Sequence, residues 1–137
     1  MSLDAFKNQS ALNSFFAWAP RHDAERLFKQ MQPIRLSSGQ MLHRPGEPIR
    51  NVYFPVSAVL SLVHQMANGS TAEIAVVGSE GFVGVNLLLG VRSSSESAMV
   101  QIPGEAMRMA SAMFLAQCER RSEFRQGAMH YTESLLC

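Results

Sequence analysis

The sequence predicts a mainly β fold with flanking helices: an antiparallel β-roll, jelly-roll-like or double-stranded β-helix in type, with N-terminal helices and a long C-terminal helix. Three observations lead there. From Ile34 to Met109 short apolar stretches alternate with turn residues, at Ser38-Gly39, Pro45-Gly46-Glu47-Pro48, Pro55, Asn68-Gly69, Gly78, Gly90 and Pro103-Gly104. Strands at that spacing fit a closed or rolled antiparallel sheet rather than βαβ units. Helical periodicity lies at the two ends, and 137 residues, 47% of them apolar, suffice for one domain with its own core.

At the N-terminus Leu12, Phe15 and Phe16 form one apolar patch, and Pro20 can occupy the first turn of a new helix. Ala24, Leu27, Phe28 and Met31 then follow at the spacing of an amphipathic stripe, which Pro33 closes. In the β region Asn68-Gly69 is the clearest turn, because both residues tolerate positive φ. Leu60, Leu62 and Met66 before it and Ala72, Ile74 and Val76 after it are expected to face the core. Ser61, Gln65, Thr71 and Glu73 would then face away.

After Met109 the pattern returns to helix. Ala112 to Cys118 makes a short one, and Ser122 can cap the next. That last helix carries Phe124, Ala128, Tyr131 and Leu135, spaced 4-3-4, the seam of a coiled-coil partner face. The spacing predicts a parallel homodimer through these four residues; the plainer alternative is a helix lying on its own sheet. No glycine, proline or polar tail ends it at Leu136-Cys137, which predicts a helix continuing beyond a fragment. Residues 1–120 thus read as a β-roll domain with its N-terminal helices, and residues 121–137 as the start of a long dimerisation helix.

Charge and composition narrow the function. A net charge of +1 leaves no electrostatic footprint for nucleic acid or an anionic membrane. No apolar run approaches the ~20 residues of a membrane span, and Met1-Ser2-Leu3-Asp4 lacks the start of a signal peptide. Cys118 and Cys137 lack a partner motif, as expected for reduced thiols in a cytoplasmic protein. They are also too few for a four-thiolate iron–sulfur site.

Catalytic constellations are poor. His22, His43, His64 and His130 are scattered without metal-ligand spacing. A cupin-like metalloenzyme would draw on His43 and Glu47, yet Pro45-Gly46 between them reads as a turn. Ser93, Ser94, Ser95 and Ser97 lack a nucleophile-elbow context. A binding domain, not an enzyme, is the expectation.

The stretch "EGFVGVNLLLGVRSSSESAMVQ", Glu80 to Gln101, is the most suggestive. Glycine-bearing, serine-rich loops often turn backbone N–H groups around a phosphate. Gly84 and Gly90 serve equally as punctuation around a short helix Val85–Leu89.

The ordered set "LSSGQMLHRPGEPIRNVYFPVSAVLSLV", "NGSTAEIAVVGSEGFVG" and "VQIPGEAMRM", then a terminal helix, resembles the N-terminal cyclic-nucleotide-binding sensor domain of the Crp/Fnr transcription regulators. The resemblance runs from about Leu12 to Cys137. It implies a β-roll, a long dimerising helix, a small-molecule effector, and DNA binding only through a C-terminal helix-turn-helix absent from this chain. The family's phosphate cassette falls on Gly84, Val85, Arg92, Glu96, Ser97 and Ala98. Val85 replaces the glutamate that contacts the ribose, and Glu96-Ser97-Ala98 replaces an Arg-Ser-Ala run, with Arg92 the nearest substitute cation. Losing one partner of such a charged pair costs about 2–5 kcal/mol. Val85 and Glu96 therefore disfavour a cyclic nucleotide and leave the effector's identity open. The rival expectation is a stand-alone ligand-binding or interaction module with no DNA role.

Overall fold

The structure is a computed structural model that describes residues 27–90, 96–120 and 122–136. The predicted N-terminal helices fall outside those residues, apart from Leu27 and Phe28, which are helical and buried, and Met31, which is buried just past the helix end, one residue before β1 begins. Seven strands follow: β1 (Gln32–Leu36), β2 (Met41–His43), β3 (Asn51–Pro55), β4 (Val59–Gln65), β5 (Thr71–Val77), β6 (Ser97–Ile102) and β7 (Gly104–Ala110). Two helices close the described chain, α1 (Ser111–Arg120) and α2 (Ser122–Leu136).

The strands form two antiparallel sheets, one of order β1-β7-β3 and one of order β2-β6-β4-β5. Non-consecutive neighbours in both orders mark a rolled sheet in which the chain passes from one layer to the other. The three-stranded sheet is the middle layer. Val52, Phe54, Met107 and Met109 pack with Phe114 and Cys118 of α1 and Ala128 of α2. Leu36, Tyr53 and Ala106 pack with Leu60, Val77, Ala98 and Val100 of the other sheet. A sheet covered on both faces needs near-continuous apolar strands, and "NVYFP" of β3 is that kind of run.

The turn at Asn68-Gly69 forms as expected, with one correction. Gly69 takes a left-handed φ of 88°, whereas no described residue other than glycine has positive φ. Asn68 contributes its side-chain oxygen, which accepts from the Ser70 N–H at 3.0 Å.

The predicted inward face of β5 turns outward, while Thr71 and Glu73 are exposed as expected. Ile74 is 55% and Val76 46% exposed, Ala72 and Met66 are exposed, and Ala75 and Val77 turn inward. The register explains it: Leu60 pairs with Val77 and Val100, all three in the core, and an irregularity follows between Leu62 and Val63. A strand's faces alternate strictly, so this pairing sends Val76 outward. Ser61 is nevertheless buried on that outer face, bonded through Oγ to Glu73 at 2.7 Å and Gln101 at 3.0 Å.

Helix α1 starts on a built joint. The Ser111 N–H donates to the Arg50 carbonyl at 2.9 Å and its hydroxyl donates to the Ile49 carbonyl at 2.7 Å. Helix α2 then lies back over the domain. Ala128 is fully buried, while Tyr131 and Leu135 pack against the core. Tyr131 reaches in because residue 81 is glycine, where any Cβ would land inside its ring. The ring then packs on Phe82 in a tilted arrangement, with centroids 5.1 Å apart.

Candidate functional site

The segment Gly84–Gly90 forms the short helix its glycines predict, a 3-10 helix Val85–Leu89. Gly84 precedes it at φ 131°, and a Cβ there would also press on Val52, so glycine suits both backbone and packing. The isolated bridge between Tyr53 and Val83 ties the approach to this turn to β3, through N–H to carbonyl bonds of 3.1 and 2.9 Å.

Beside this turn lies a cavity where the two halves of the core meet. Gly84, Val85 and Glu96 line it, together with Ile49, Leu62, Phe82, Val83, His43, Asn86 and Leu135 of α2. Space for the centre of a water molecule amounts to about 20 Å3, enough for about one water. Three of the residues read from the sequence as a ligand cassette thus converge. Ser97, half-buried, and Ala98, fully buried in the inter-sheet core, begin β6 and do not line the cavity. Arg92 lies outside the described residues.

Sequence reasoning missed His43 and Leu135 as cavity residues. His43 was weighed with Glu47 as a metal pair, but Glu47 sits exposed in the turn, its N–H donating to the Arg44 carbonyl. The His43 ring instead turns inward, 5.9 Å from the Tyr53 ring, and Nε2–H donates to the Asn51 carbonyl at 3.1 Å. Burial lowers its pKa below the ordinary histidine value, the Asn51 hydrogen bond opposing only in part. The ring is therefore neutral at physiological pH. Among the described residues no group of three His, Cys, Asp or Glu side chains could hold a metal ion.

The 4-3-4 spacing predicts a partner-facing seam of Phe124, Ala128, Tyr131 and Leu135. In the structure Ala128, Tyr131 and Leu135 face the chain's own core; the Phe124 side chain is outside the description. A 4-3-4 spacing defines an apolar stripe but not what covers it, and the opening left by Gly81 lets this domain cover its own. Burial, with a smaller contribution from the Glu80 charge, pushes the Tyr131 phenol up to about 12 against the effect of a backbone hydrogen bond at Phe82. Arg125, Gln126, His130 and Glu133 are the exposed side of α2.

A model of the cyclic nucleotide-binding domain matches residues 33–121, well over half the chain. The chain belongs to the cyclic nucleotide-binding domain family. Among curated proteins none matches it by sequence. Solved structures of the same fold include the sensor domain of the transcriptional regulator DNR from Pseudomonas aeruginosa, with a TM-score of 0.77 and 13% identity over 98% of this chain and 90% of that one. The catabolite activator protein of Thermus thermophilus matches with a TM-score of 0.76 and 17% identity, over 90% of this chain and 58% of that protein. The regulatory subunit of a cAMP-independent protein kinase A from Trypanosoma brucei, a triply substituted mutant bound to cAMP in its A site, gives 0.71 and 12%, over 98% of this chain and 52% of that one. This cyclic nucleotide-binding-type domain thus has structural neighbours among Crp/Fnr-type regulators. It spans less than two thirds of the Thermus protein. No described helix is long and apolar enough to cross a membrane.

Proposed function

We propose that this domain is the sensor of a Crp/Fnr-type transcription regulator whose effector enters the cavity beside Gly84 and displaces Leu135. One observation carries the reading: residues of the cassette turn and a residue of α2 line the same cavity. An occupant larger than a water must move Leu135, so binding and the position of α2 are thermodynamically linked. DNA binding would belong to a helix-turn-helix domain outside this chain, and the assembly would be a cytoplasmic homodimer.

The effector is not a cyclic nucleotide bound in the family's usual way. Among the described lining residues the charged side chain is the carboxylate of Glu96, and Val85 offers no acceptor to a ribose hydroxyl. A phosphate monoanion would meet repulsion where a guanidinium pair would be favourable. Calorimetry tests this on the folded domain. Neither cAMP nor cGMP should bind with a Kd near or below about 10 μM, roughly −7 kcal/mol. If either does, Arg92→Ala abolishing the binding would identify Arg92 as the substitute cation. Recovery of cAMP binding by Val85→Glu with Glu96→Arg would show that the backbone cradle persists and only its charges changed. The cAMP-bound substituted mutant of the cAMP-independent kinase subunit supports the design of that test.

The polar outward side of α2, with Arg125, Gln126, His130 and Glu133, favours a second reading, a stand-alone ligand-binding module without a DNA role. A full-length reading frame encoding a helix-turn-helix after Cys137 eliminates it.

A further inference from the structure

The two helices are joined to the domain differently. Hydrogen bonds pin α1 to other elements: Ser111 donates to the Arg50 and Ile49 carbonyls, and the Gln117 amide donates to Gln30 at 2.8 Å. Helix α2 rests on the core through the apolar packing of Ala128, Tyr131 and Leu135. Thr132, buried on the same helix, donates to the Ala128 carbonyl at 2.8 Å and keeps that bond wherever the helix goes. The Tyr131 ring occupies the gap at Gly81 and lies against Phe82.

The three packed residues, with Phe124, also have the 4-3-4 spacing of a coiled-coil seam. The outward side of α2 presents Arg125, Gln126, His130 and Glu133 instead. A helix pair needs an apolar seam, so pairing α2 with another copy competes with docking it on its own core. A released α2 cannot stand uncovered. Its 15 residues are marginal for an isolated helix, and Gly127 and Thr132 lower its propensity further.

Resting on the homodimer of the proposed regulator, we infer that α2 is a switchable seam. Ala128, Tyr131 and Leu135 cover either their own core or the same residues of a second copy. The Tyr131 ring in the gap at Gly81 is the latch that holds the self-docked state.

Sedimentation over a concentration series, with amide hydrogen exchange of α2 in dilute protein, tests this on the whole chain. Gly81→Ala puts a methyl where the ring sits. Tyr131→Leu removes the ring but keeps an apolar residue in the seam, and each variant is used where circular dichroism shows the β-roll intact. Both should speed exchange in α2. Dimer formation depends on the square of the released fraction, so both should also tighten dimerisation at least about ten-fold. Adding Leu135→Glu to either should abolish the dimer. If the wild type dimerises and the released variants dimerise no more tightly, the inference falls and the homodimer stands on another face. If α2 exchanges no faster in either variant, Tyr131 is not the latch and the inference falls too. If neither the wild type nor a released variant associates, the inference and the homodimer reading fall together.

Discussion

Between the helices and the three-stranded sheet the packing is aromatic, with Phe54, Phe82, Phe114 and Tyr131 in ring contacts of 5.1 to 6.4 Å. Between the two sheets it is mostly aliphatic and small, with Ala58, Leu60, Val77, Ala98, Val100 and Ala106 around the ring of Tyr53. The contrast follows from geometry. Stacked sheets sit ~10 Å apart and interdigitate short side chains, whereas helices lying across a sheet leave deeper, irregular gaps that rings fill. The small cavity beside Gly84 lies where the two packings meet, and Leu135 touches both.

The largest effect expected is from Phe82→Ala, which removes the ring shared by Phe54, Phe114 and Tyr131. It should cost about 3–5 kcal/mol by denaturant unfolding. Leu60→Ala, in the inter-sheet core, should cost about 2–5 kcal/mol. The two should differ in kind: early proteolysis within α2 is expected for the first and not for the second. Equal cleavage of α2 in both would mean that the two packings unfold as one.

Gly81→Ala comes next, at about 1–3 kcal/mol, because its methyl must displace the Tyr131 ring. In a Tyr131→Ala background the same change should cost far less, a coupling that a double-mutant cycle measures. The cycle also separates the two roles for the stripe on α2. If Tyr131 serves its own domain, Tyr131→Glu lowers the melting temperature at every protein concentration. A loss that appears only where sedimentation shows a dimer would return Tyr131 to a partner-facing seam.

The pH response of His43 is smaller. Its folded pKa lies below the unfolded value of about 6.5, so below that pH the unfolded chain binds more protons. Its contribution is intact above pH ~6.5 and is lost as pH falls through the folded pKa. Stability should drop more steeply in the wild type than in His43→Phe as the solution is acidified from neutrality. Parallel profiles would mean that the ring reaches solvent.

The smallest test is chemical. Burial, opposed by Arg125 and reinforced by Glu119, pushes the Cys118 thiol up to about 12. In a Cys137→Ser background Cys118 should resist alkylation at mildly basic pH until the domain unfolds, because the thiolate is the reactive form. Rapid labelling of the folded protein would show that α1 lifts from the core.

Much of the architecture was legible in the chain itself. The turn residues from Ser38-Gly39 to Pro103-Gly104 bounded the strands because glycine and proline act on backbone geometry locally, whatever surrounds them. The 3-10 helix between Gly84 and Gly90 and the helix beginning near Ala112 followed from the same short-range rules. Gly84, Val85 and Glu96 could be placed together by the order of motifs. Partners were another matter. The reversal of Ile74 and Val76, the turning of the α2 stripe onto its own core and the arrival of His43 and Leu135 in one cavity all depend on contacts between distant residues. An apolar stripe has the same pattern whether its own domain or another chain covers it. Here the register of Leu60 with Val77 and the missing side chain at Gly81 decided the matter, and both act only once the chain has folded back on itself.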